Sequence, residues 1–253
     1  MTLVIGIDIG TTTITSIAVD AASGSIVERA TTSNDAKFND RPAGRSEWDA
    51  NRIVTQAMQC VKDVVSRLGP KSSEIAGIGM TGQQHGMVLV DRQLDPVSPY
   101  INWQDQRGNE LDSYGTPIVE SLCSRLSDDQ YQRHGCYLRS GFMNVTLYCL
   151  AQQNLLPAES RAAFIMDLVA SRLCDAPLVS DPTAAGSAGL LDIQSNRWDS
   201  NALQTLGIPE EVLPEVRSVR DTVGNVTPEV ARDTGCLLYT SDAADEGLGV
   251  DLG

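Results

Sequence analysis

The sequence predicts an α/β fold in which three strands precede a helix and further strands follow it. The first observation is a pair of short apolar runs, Val4–Ile9 and Ile14–Val19, joined by a Gly-Thr-Thr-Thr turn. Runs rich in Val and Ile around a glycine turn favour a β-hairpin. The second is a segment between Asp49 and Leu68 whose apolar residues recur at helical spacing. The third is a return to apolar runs from Ile75 onwards.

Turn and capping signals divide the N-terminal half into elements. A serine–glycine pair follows the second strand, and a polar stretch with one proline precedes the helix. An aspartate can cap the helix, and a Gly-Pro pair ends it. The predicted elements are a strand at Ser25–Thr32, a loop at Asn34–Ser46, the helix capped by Asp49, and strands at Ile75–Met80 and Met87–Val90.

The C-terminal half is predicted to be mainly helical. The expected elements are helical stretches at Leu111–Leu126, Leu147–Asn154 and Ala158–Leu173, then a loop at Val179–Ala188. Gly77–Gly82 matches the GxGxxG pattern of dinucleotide-binding folds, but that motif must open a helix. Another apolar strand follows here, so a dinucleotide site is not favoured.

Composition excludes several classes of protein. The 253 residues carry a formal charge of −14, with 42% hydrophobic and 21% charged residues, as in ordinary soluble domains. No apolar run is long enough to span a membrane. Met1 leads directly into the first strand, so no signal peptide is expected. The acidic balance argues against nucleic-acid binding, and cysteines without CxxC spacing fit a cytoplasmic protein without zinc.

The C-terminal segment Cys236–Gly253 is predicted to be a non-native tail. Its CLLYTSDAADE stretch is similar to one reading frame of a transposase-derived sequencing adaptor, and Val250–Gly253 resembles the primer that follows it. Such segments are excluded from fold reasoning. Residues 1–235 then form the natural part. A mostly polar tail buries little apolar area, so we expect it to be poorly packed. The alternative is a natural acidic C-terminus.

A carboxylate and a hydroxyl-rich turn predict a site for a magnesium–nucleotide complex. Asp8 lies inside the first apolar run, where a charge is costly unless it is paired or binds a metal. The turn Gly10–Thr13 offers backbone N–H groups and hydroxyls to an anion. Together they supply an oxygen ligand for the ion and donors for phosphates. The alternative is an ordinary hairpin whose aspartate faces water.

Two polar segments predict a binding site for a sugar. Gln84 and His85 lie in a glycine-bounded turn between strands, and Trp103 and Asp105 follow within PYINWQDQR. Neutral donors and acceptors beside an aromatic face suit sugar hydroxyls. The alternatives are core packing for Trp103, a structural role for His85, and a surface ion pair between Asp105 and the nearby arginine.

These motifs, in this order, resemble the N-terminal lobe of the FGGY carbohydrate kinases. The resemblance covers nearly all of Thr2–Gly235 and rests on GIDIGTTT, GQQHG, INWQDQR, DPTAAGSAGLLD and VGNVTPEVARDTG. It implies the ribonuclease H-like fold of the actin/Hsp70/sugar-kinase superfamily, with the N-terminal lobe only. The GQxHG and WxDxR pair looks like the xylulokinase and sedoheptulokinase branches. A glycerol kinase would be expected to carry Arg-Glu in place of Gln84 and His85.

The resemblance implies ATP-dependent phosphorylation of a ketose, of the sedoheptulose or xylulose type, by the full-length protein. The implied roles are Asp8 for Mg²⁺ held with ATP, Gly10, Thr11, Thr12 and Thr13 for the phosphates, and Gln84, His85, Trp103 and Asp105 for the sugar. The general base and the adenine-binding lobe are expected beyond Gly235, so this chain alone is expected to be inactive. The expected partners are a small-molecule sugar and a nucleotide, and a homodimer of the full-length protein is compatible with the resemblance.

Two alternatives to a kinase stay open from the sequence. A chaperone or filament subunit of the same superfamily shares the nucleotide hairpin, but it has no use for the GQQHG and WQDQR segments. A sugar-binding fragment without catalysis is the other alternative. Sugar-dependent hydrolysis of nucleotide by the full-length protein would separate the chaperone from the kinase.

Overall fold

The computed structural model of the chain describes residues 1–236 and the backbone of residues 249–252. The strands are β1 (Leu3–Ile9), β2 (Thr13–Asp20), β3 (Ile26–Ser33), β4 (Glu47–Trp48), β5 (Ile75–Gly82), β6 (Val88–Val90), β7 (Tyr100–Ile101), β8 (Arg161–Ala163), β9 (Val179–Ser180), β10 (Leu191–Asp192), β11 (Arg197–Trp198), β12 (Glu215–Val216), β13 (Thr222–Asn225) and β14 (Gly249–Leu252). The helices are α1 (Ala50–Leu68), α2 (Ile118–Cys123), α3 (Asp128–His134), α4 (Met143–Gln152), α5 (Ile165–Cys174), α6 (Pro182–Ser187), α7 (Ser200–Leu206) and α8 (Pro228–Thr234).

A six-stranded sheet in the order β13-β14-β5-β1-β2-β3 forms the centre of the structure. Strand β1 pairs antiparallel with β2 and parallel with β5, and β2 pairs antiparallel with β3. Alternate residues of β1, from Leu3 to Ile9, are buried. Helix α1 packs against β2 and β3, and α5 packs against β5. The C-terminal ends of β1 and β5 therefore lie side by side, because Ile9 pairs with Gly82.

The elements of the N-terminal half agree with the sequence analysis. The hairpin, the third strand, the helix and the strand of Ile75 all form, each within a few residues of its predicted bounds. Asp49 caps α1, since its side chain accepts a hydrogen bond from the N–H of Arg52 at 3.0 Å. The period of the apolar residues predicts the hairpin and the helix, because each of them buries a continuous face against the core.

The helix predicted at Leu111–Leu126 is shortened to the six residues of α2. The side chain of Asp112 accepts hydrogen bonds from the N–H groups of Tyr114, at 2.8 Å, and Thr116, at 3.0 Å. Such local bonds offer the backbone an alternative to the helix. The helix therefore begins only after Pro117.

Three further predictions are corrected by tertiary pairing and capping. The stretch Ala158–Leu173 is not one helix, because β8 pairs antiparallel with β6 before α5 begins. The loop predicted at Val179–Ala188 contains β9 and the short helix α6, which Asp181 caps. The helix predicted at Leu147–Asn154 begins earlier, at Met143, and ends at Gln152.

The prediction of a poorly packed tail is wrong for the part of it that the structure describes. Cys236 is buried, and Gly249–Leu252 forms β14, which is paired parallel with β5 and antiparallel with β13. Backbone hydrogen bonds do not depend on which side chains the strand carries, so a short extended segment can complete a sheet. Residues 237–248 and 253 lie outside the described residues.

No helix in the described part of the chain combines the length and the apolar character needed to cross a bilayer.

Candidate functional site

The turn between β1 and β2 presents two unpaired backbone donors. Asn34 holds the carbonyls of this turn: its Nδ2 donates to the Gly10 oxygen at 2.9 Å and its N–H donates to the Thr12 oxygen at 2.9 Å. Among residues 1–236, the N–H groups of Thr11 and Thr12 have no acceptor. A Cβ on Gly10 would lie 2.8 Å from the Thr13 oxygen, so the turn requires glycine. This arrangement suits an anion.

Asp8 lies close to this turn in the middle of three strands. It is opposite Thr15 of β2 and Thr81 of β5, and its side chain is exposed. Burial of part of the carboxylate among apolar strands raises its pKa above the ordinary value. Burial disfavours the charged form of the carboxylate, and a nearby cation would favour it.

The loop after β5 brings His85 to the edge of the sheet in an unusual backbone conformation. The N–H of Gly86 bonds to the Gln84 oxygen at 2.9 Å, and φ of His85 is 73°, as in the rare classic γ-turn. Nδ1 of His85 lies 2.7 Å from the Ser187 oxygen, and its ring stacks on Phe142 with centroids 4.3 Å apart. The ring is thus fixed in orientation despite the backbone strain.

Trp103 connects the second polar segment to the turn Gly10–Thr13. Its indole Nε1 donates to the Thr11 hydroxyl at 3.0 Å, while 44% of the residue stays exposed. The chain passes directly behind it at Gly141, where φ is 89° and a Cβ would lie 2.0 Å from the Trp103 oxygen. Only glycine allows this approach.

A cavity of about 740 Å³ lies between these segments. It is lined by His85, Trp103, Gln104, Gln106, Asn109, Val119, Leu138, Arg139, Ser140 and Phe142. The structure therefore brings His85 and Trp103 together around one cavity, and Trp103 also contacts the turn Gly10–Thr13. Gln84 and Asp105 are not among the lining residues, and Oε1 of Gln84 is buried without a partner in the described part of the chain.

Asp105 lies behind the cavity in a buried ion pair. The residue is 0% exposed, and Arg107 donates to its two oxygens from Nε at 2.7 Å and Nη2 at 3.1 Å. The N–H of Ser46 donates to the same carboxylate at 2.8 Å, and Arg107 also bonds to Glu47 at 2.8 Å. Burial opposes the charge of Arg107, but its bonds to the two carboxylates raise its pKa. A sugar would need an accessible oxygen, so the geometry gives Asp105 a positioning role.

Several residues of the site were missed by the sequence analysis. Asn34 and Ser187 lie in segments assigned as loops, and Phe142 and Arg139 lie just before α4. An asparagine in a loop and an aromatic residue before a helix are common, so neither gives a signal by itself. Their proximity to His85 arises from contacts about 50 to 100 positions apart in sequence, which no local pattern encodes.

A second carboxylate, Asp167 in the first turn of α5, is completely buried. Neither of its oxygens, nor the hydroxyl of the nearby Ser180, has a hydrogen-bond partner in the described part of the chain. Burial raises the pKa of Asp167 well above its usual value; the nearby Ser180 hydroxyl opposes this shift, and the charge of Asp181 adds to it. Burial therefore favours the neutral form of this side chain.

The chain belongs to the FGGY family of carbohydrate kinases, because the model of the N-terminal domain of that family matches residues 3–241. Among its relatives, the xylulose kinase of Bacillus subtilis (strain 168) is 27% identical over 98% of this chain and 49% of the relative. The glycerol kinase of Malacoplasma penetrans is 31% identical over 96% of this chain and 48% of the relative. The sedoheptulokinase of Mus musculus is 28% identical over 88% of this chain and 49% of the relative. The chain spans about half the length of the curated relatives it matches.

Solved structures agree on the fold. The xylulose kinase from Rhodospirillum rubrum superposes with a TM-score of 0.84 at 23% identity, over 99% of this chain and 48% of that one. The glycerol kinase of Plasmodium falciparum, solved with ADP, superposes with a TM-score of 0.81 at 20% identity, over 99% of this chain and 48% of that one. The predicted fold, the N-terminal lobe of a superfamily sugar kinase, is confirmed.

Proposed function

We propose that the full-length protein transfers the γ-phosphoryl group of ATP to a hydroxyl of a ketose of the sedoheptulose or xylulose type. The observation that carries the proposal is the 3.0 Å hydrogen bond between Trp103 and Thr11. Through this bond, Trp103 belongs both to a cavity large enough for a sugar and to the turn with free N–H donors. Phosphoryl transfer depends mainly on such positioning, together with stabilisation of charge.

The roles in the proposal divide between the turn and the cavity. The free N–H groups of Thr11 and Thr12, in the turn Gly10–Thr13, receive phosphate oxygens, and His85 and Trp103 hold the sugar with support from Gln84. An aromatic face and amide groups suit a neutral polyol, because they donate and accept without demanding charge. Asp105 keeps the tryptophan segment in place. The general base and the adenine pocket lie beyond Gly235.

Asp8 and the neighbouring hydroxyls fit a magnesium ion. Mg²⁺ prefers a few hard oxygen ligands and keeps several waters, and Asp8 offers an exposed carboxylate beside Thr15 and Thr81. Partial burial raises the pKa of Asp8, and a bound cation would lower it again. When bound, the ion would neutralise phosphate charge. Asp8 would hold it, and the protein's own N–H groups would orient the phosphates.

We also propose that residues 1–235 form the N-terminal lobe and that residues 236–253 are a non-native tail. The proposal rests on the likeness of the tail to an adaptor reading frame and on relatives about twice as long as this chain. It predicts that residues 1–253 alone do not consume ATP in the presence of a ketose. Ketose-dependent consumption by this chain would contradict it.

The experiment requires the full-length gene. ATP consumption by the purified protein is measured with sedoheptulose, D-xylulose and glycerol, and the position of the new phosphate is determined by NMR. We expect turnover with at least one ketose and less with glycerol. Turnover with glycerol alone, or hydrolysis of ATP that no sugar stimulates, would contradict the proposal.

A pair of carboxylate variants tests the metal assignment. Asp8→Asn should remove most turnover while sugar binding stays nearly unchanged. Asp20→Asn is the matched control, because Asp20 lies at the other end of the same hairpin and bonds only to its own turn. Loss of sugar affinity with normal turnover at saturation would contradict the role of Asp8.

A further inference from the structure

The side chains between the phosphate turn and the cavity form one chain of hydrogen bonds with a fixed direction. The N–H of Gln104 is a donor, so the atom of Asn102 that it contacts at 2.8 Å is the oxygen Oδ1. Nδ2 of Asn102 therefore points the other way and donates to Gln83. The atom of Gln83 that accepts this bond is Oε1, since two amide nitrogens would repel each other.

The same oxygen determines what the Thr11 hydroxyl does. Thr11 lies 3.1 Å from Oε1 of Gln83, which carries no proton, so Thr11 must be the donor. The indole nitrogen of Trp103 is also only a donor, so Thr11 accepts that bond. The single proton of the hydroxyl is thus committed to Gln83 and one of its lone pairs to Trp103.

The two amides of the network are buried and have no alternative arrangement among the described residues. Gln83 and Asn102 are 9% and 0% exposed, and the N–H of Gln83 is itself bonded to the Ile9 oxygen at 2.9 Å. This orientation leaves Nε2 of Gln83 buried without an acceptor in residues 1–236. The amide therefore keeps its orientation in spite of an unsatisfied donor, because turning it would place nitrogen against Asn102.

We infer that the Thr11 hydroxyl is a coupling group between the phosphate turn and the sugar cavity rather than a phosphate ligand. Its proton is not available to a phosphate oxygen while it holds Trp103 and Gln83. A phosphate that draws the hydroxyl proton to itself must break the bond to Gln83 and shift the oxygen that accepts from Trp103, and a sugar that fixes Trp103 stabilises the turn. Occupancy of one site is thereby linked to occupancy of the other. The part of this inference that concerns ligands rests on the proposed function.

The first test uses this chain and needs no ligand. The indole Nε1–H signal of Trp103 is followed by NMR, with Trp198 as an internal reference because its indole bonds to the distant Pro214 oxygen at 2.9 Å. In Thr11→Val we expect the Trp103 proton to exchange about fivefold faster, as for the loss of one hydrogen bond. Thr11→Ser should restore the slow exchange.

Thr12→Val is the matched control in the same turn, since the Thr12 side chain is exposed and only its backbone oxygen is bonded in the described structure. It should leave the Trp103 signal unchanged. An unchanged signal in Thr11→Val, or an equal change in Thr12→Val, would overturn the inference whatever the full-length protein does.

The second test uses the full-length protein. The affinity for the ketose that it phosphorylates is measured with and without Mg²⁺ and ADP, and the ratio gives the coupling between the sites. Thr11→Val should bring the ratio close to one, and Thr12→Val should keep it. Loss of turnover in Thr11→Val with the coupling and the Trp103 signal intact would make Thr11 a direct phosphate ligand and overturn the inference. Absence of any sugar phosphorylation would refute the proposed function, while the exchange test would still stand.

Discussion

The imidazole of His85 lies parallel to the ring of Phe142, with centroids 4.3 Å apart and 11° between the planes. The stack holds a histidine whose backbone has a φ of 73°, a region that side chains rarely adopt. Contacts made by the ring therefore offset strain in the main chain. Both residues line the cavity. Mutations at His85 can therefore distinguish its effect on ligand binding from its effect on backbone strain.

Replacement of His85 by glycine should be less harmful to stability than replacement by alanine. Both variants lose the stack and the contact with Ser187, but glycine adopts a positive φ without strain. We expect the free energy of unfolding of His85→Gly, measured in urea, to exceed that of His85→Ala by about 1 kcal/mol. Both should lose sugar affinity in the full-length protein. Equal stability of the two variants would show that the turn is not strained.

Replacement of Arg107 by lysine should be strongly destabilising although the charge is kept. Arg107 bonds to both oxygens of Asp105 and to Glu47, and a lysine cannot reproduce this geometry. We expect a loss on the order of 2 kcal/mol in the free energy of unfolding. Arg92→Lys is the control, because the pair of Arg92 with Glu159 at 3.0 Å is exposed and should contribute almost nothing. Similar losses in both variants would contradict the buried anchor.

Removal of the Asn34 side chain should weaken the phosphate turn. Asn34→Ala loses the 2.9 Å bond to the Gly10 oxygen and leaves that carbonyl without its donor. We expect a loss of about 1–2 kcal/mol in stability and a higher KM for ATP in the full-length protein. The exposed residue Asn201 serves as the control, and Asn201→Ala should change stability by less than about 0.5 kcal/mol. An unchanged KM for ATP in Asn34→Ala would show that this residue does not support the nucleotide site.

The buried acid Asp167 should make stability fall as pH rises. Its pKa is raised in the folded state, so the folded protein holds a proton that the unfolded chain has released above its ordinary pKa of 3.8. The contribution is complete below that value and is lost, by about 1.4 kcal/mol per pH unit, until pH passes the folded pKa.

The neutral variant Asp167→Asn isolates this effect. Its stability relative to the natural chain should increase from pH 4 towards neutral pH, as followed by urea unfolding at several pH values. Asp63→Asn is a partly exposed helical control on α1. A constant difference across the pH range would mean that Asp167 is charged in the fold.

The part of the fold that the sequence predicts is the part whose elements bury one face over several turns or alternations. Helix α1 and the hairpin of β1 and β2 are of this kind. By contrast, β8 has only three residues and exists because β6, about 70 positions earlier, offers it a partner. Helix α6 could have been predicted, since Asp181 and Pro182 are a standard start signal.

The site was predictable at its polar motifs but not in its geometry. The polar motifs predicted one sugar site that contains both His85 and Trp103, and the two residues line one cavity. The sequence could not show that Asp105 faces inwards, because orientation in an irregular loop follows no period. Nor could it show that Thr11 faces Gln83, since that contact joins positions 72 apart.

The strand Gly249–Leu252 has a practical consequence for anyone who expresses this lobe. It lies between β5 and β13, where main-chain groups on both sides need a partner. On our proposal that the tail is foreign to the gene, this position in the sheet accepts an extended segment without regard to its origin. Removal of the residues after Gly235 would then leave one edge of β5 unpaired and favour strand exchange between molecules. A chain that ends at Gly235 would therefore aggregate more readily than the chain that keeps the tail.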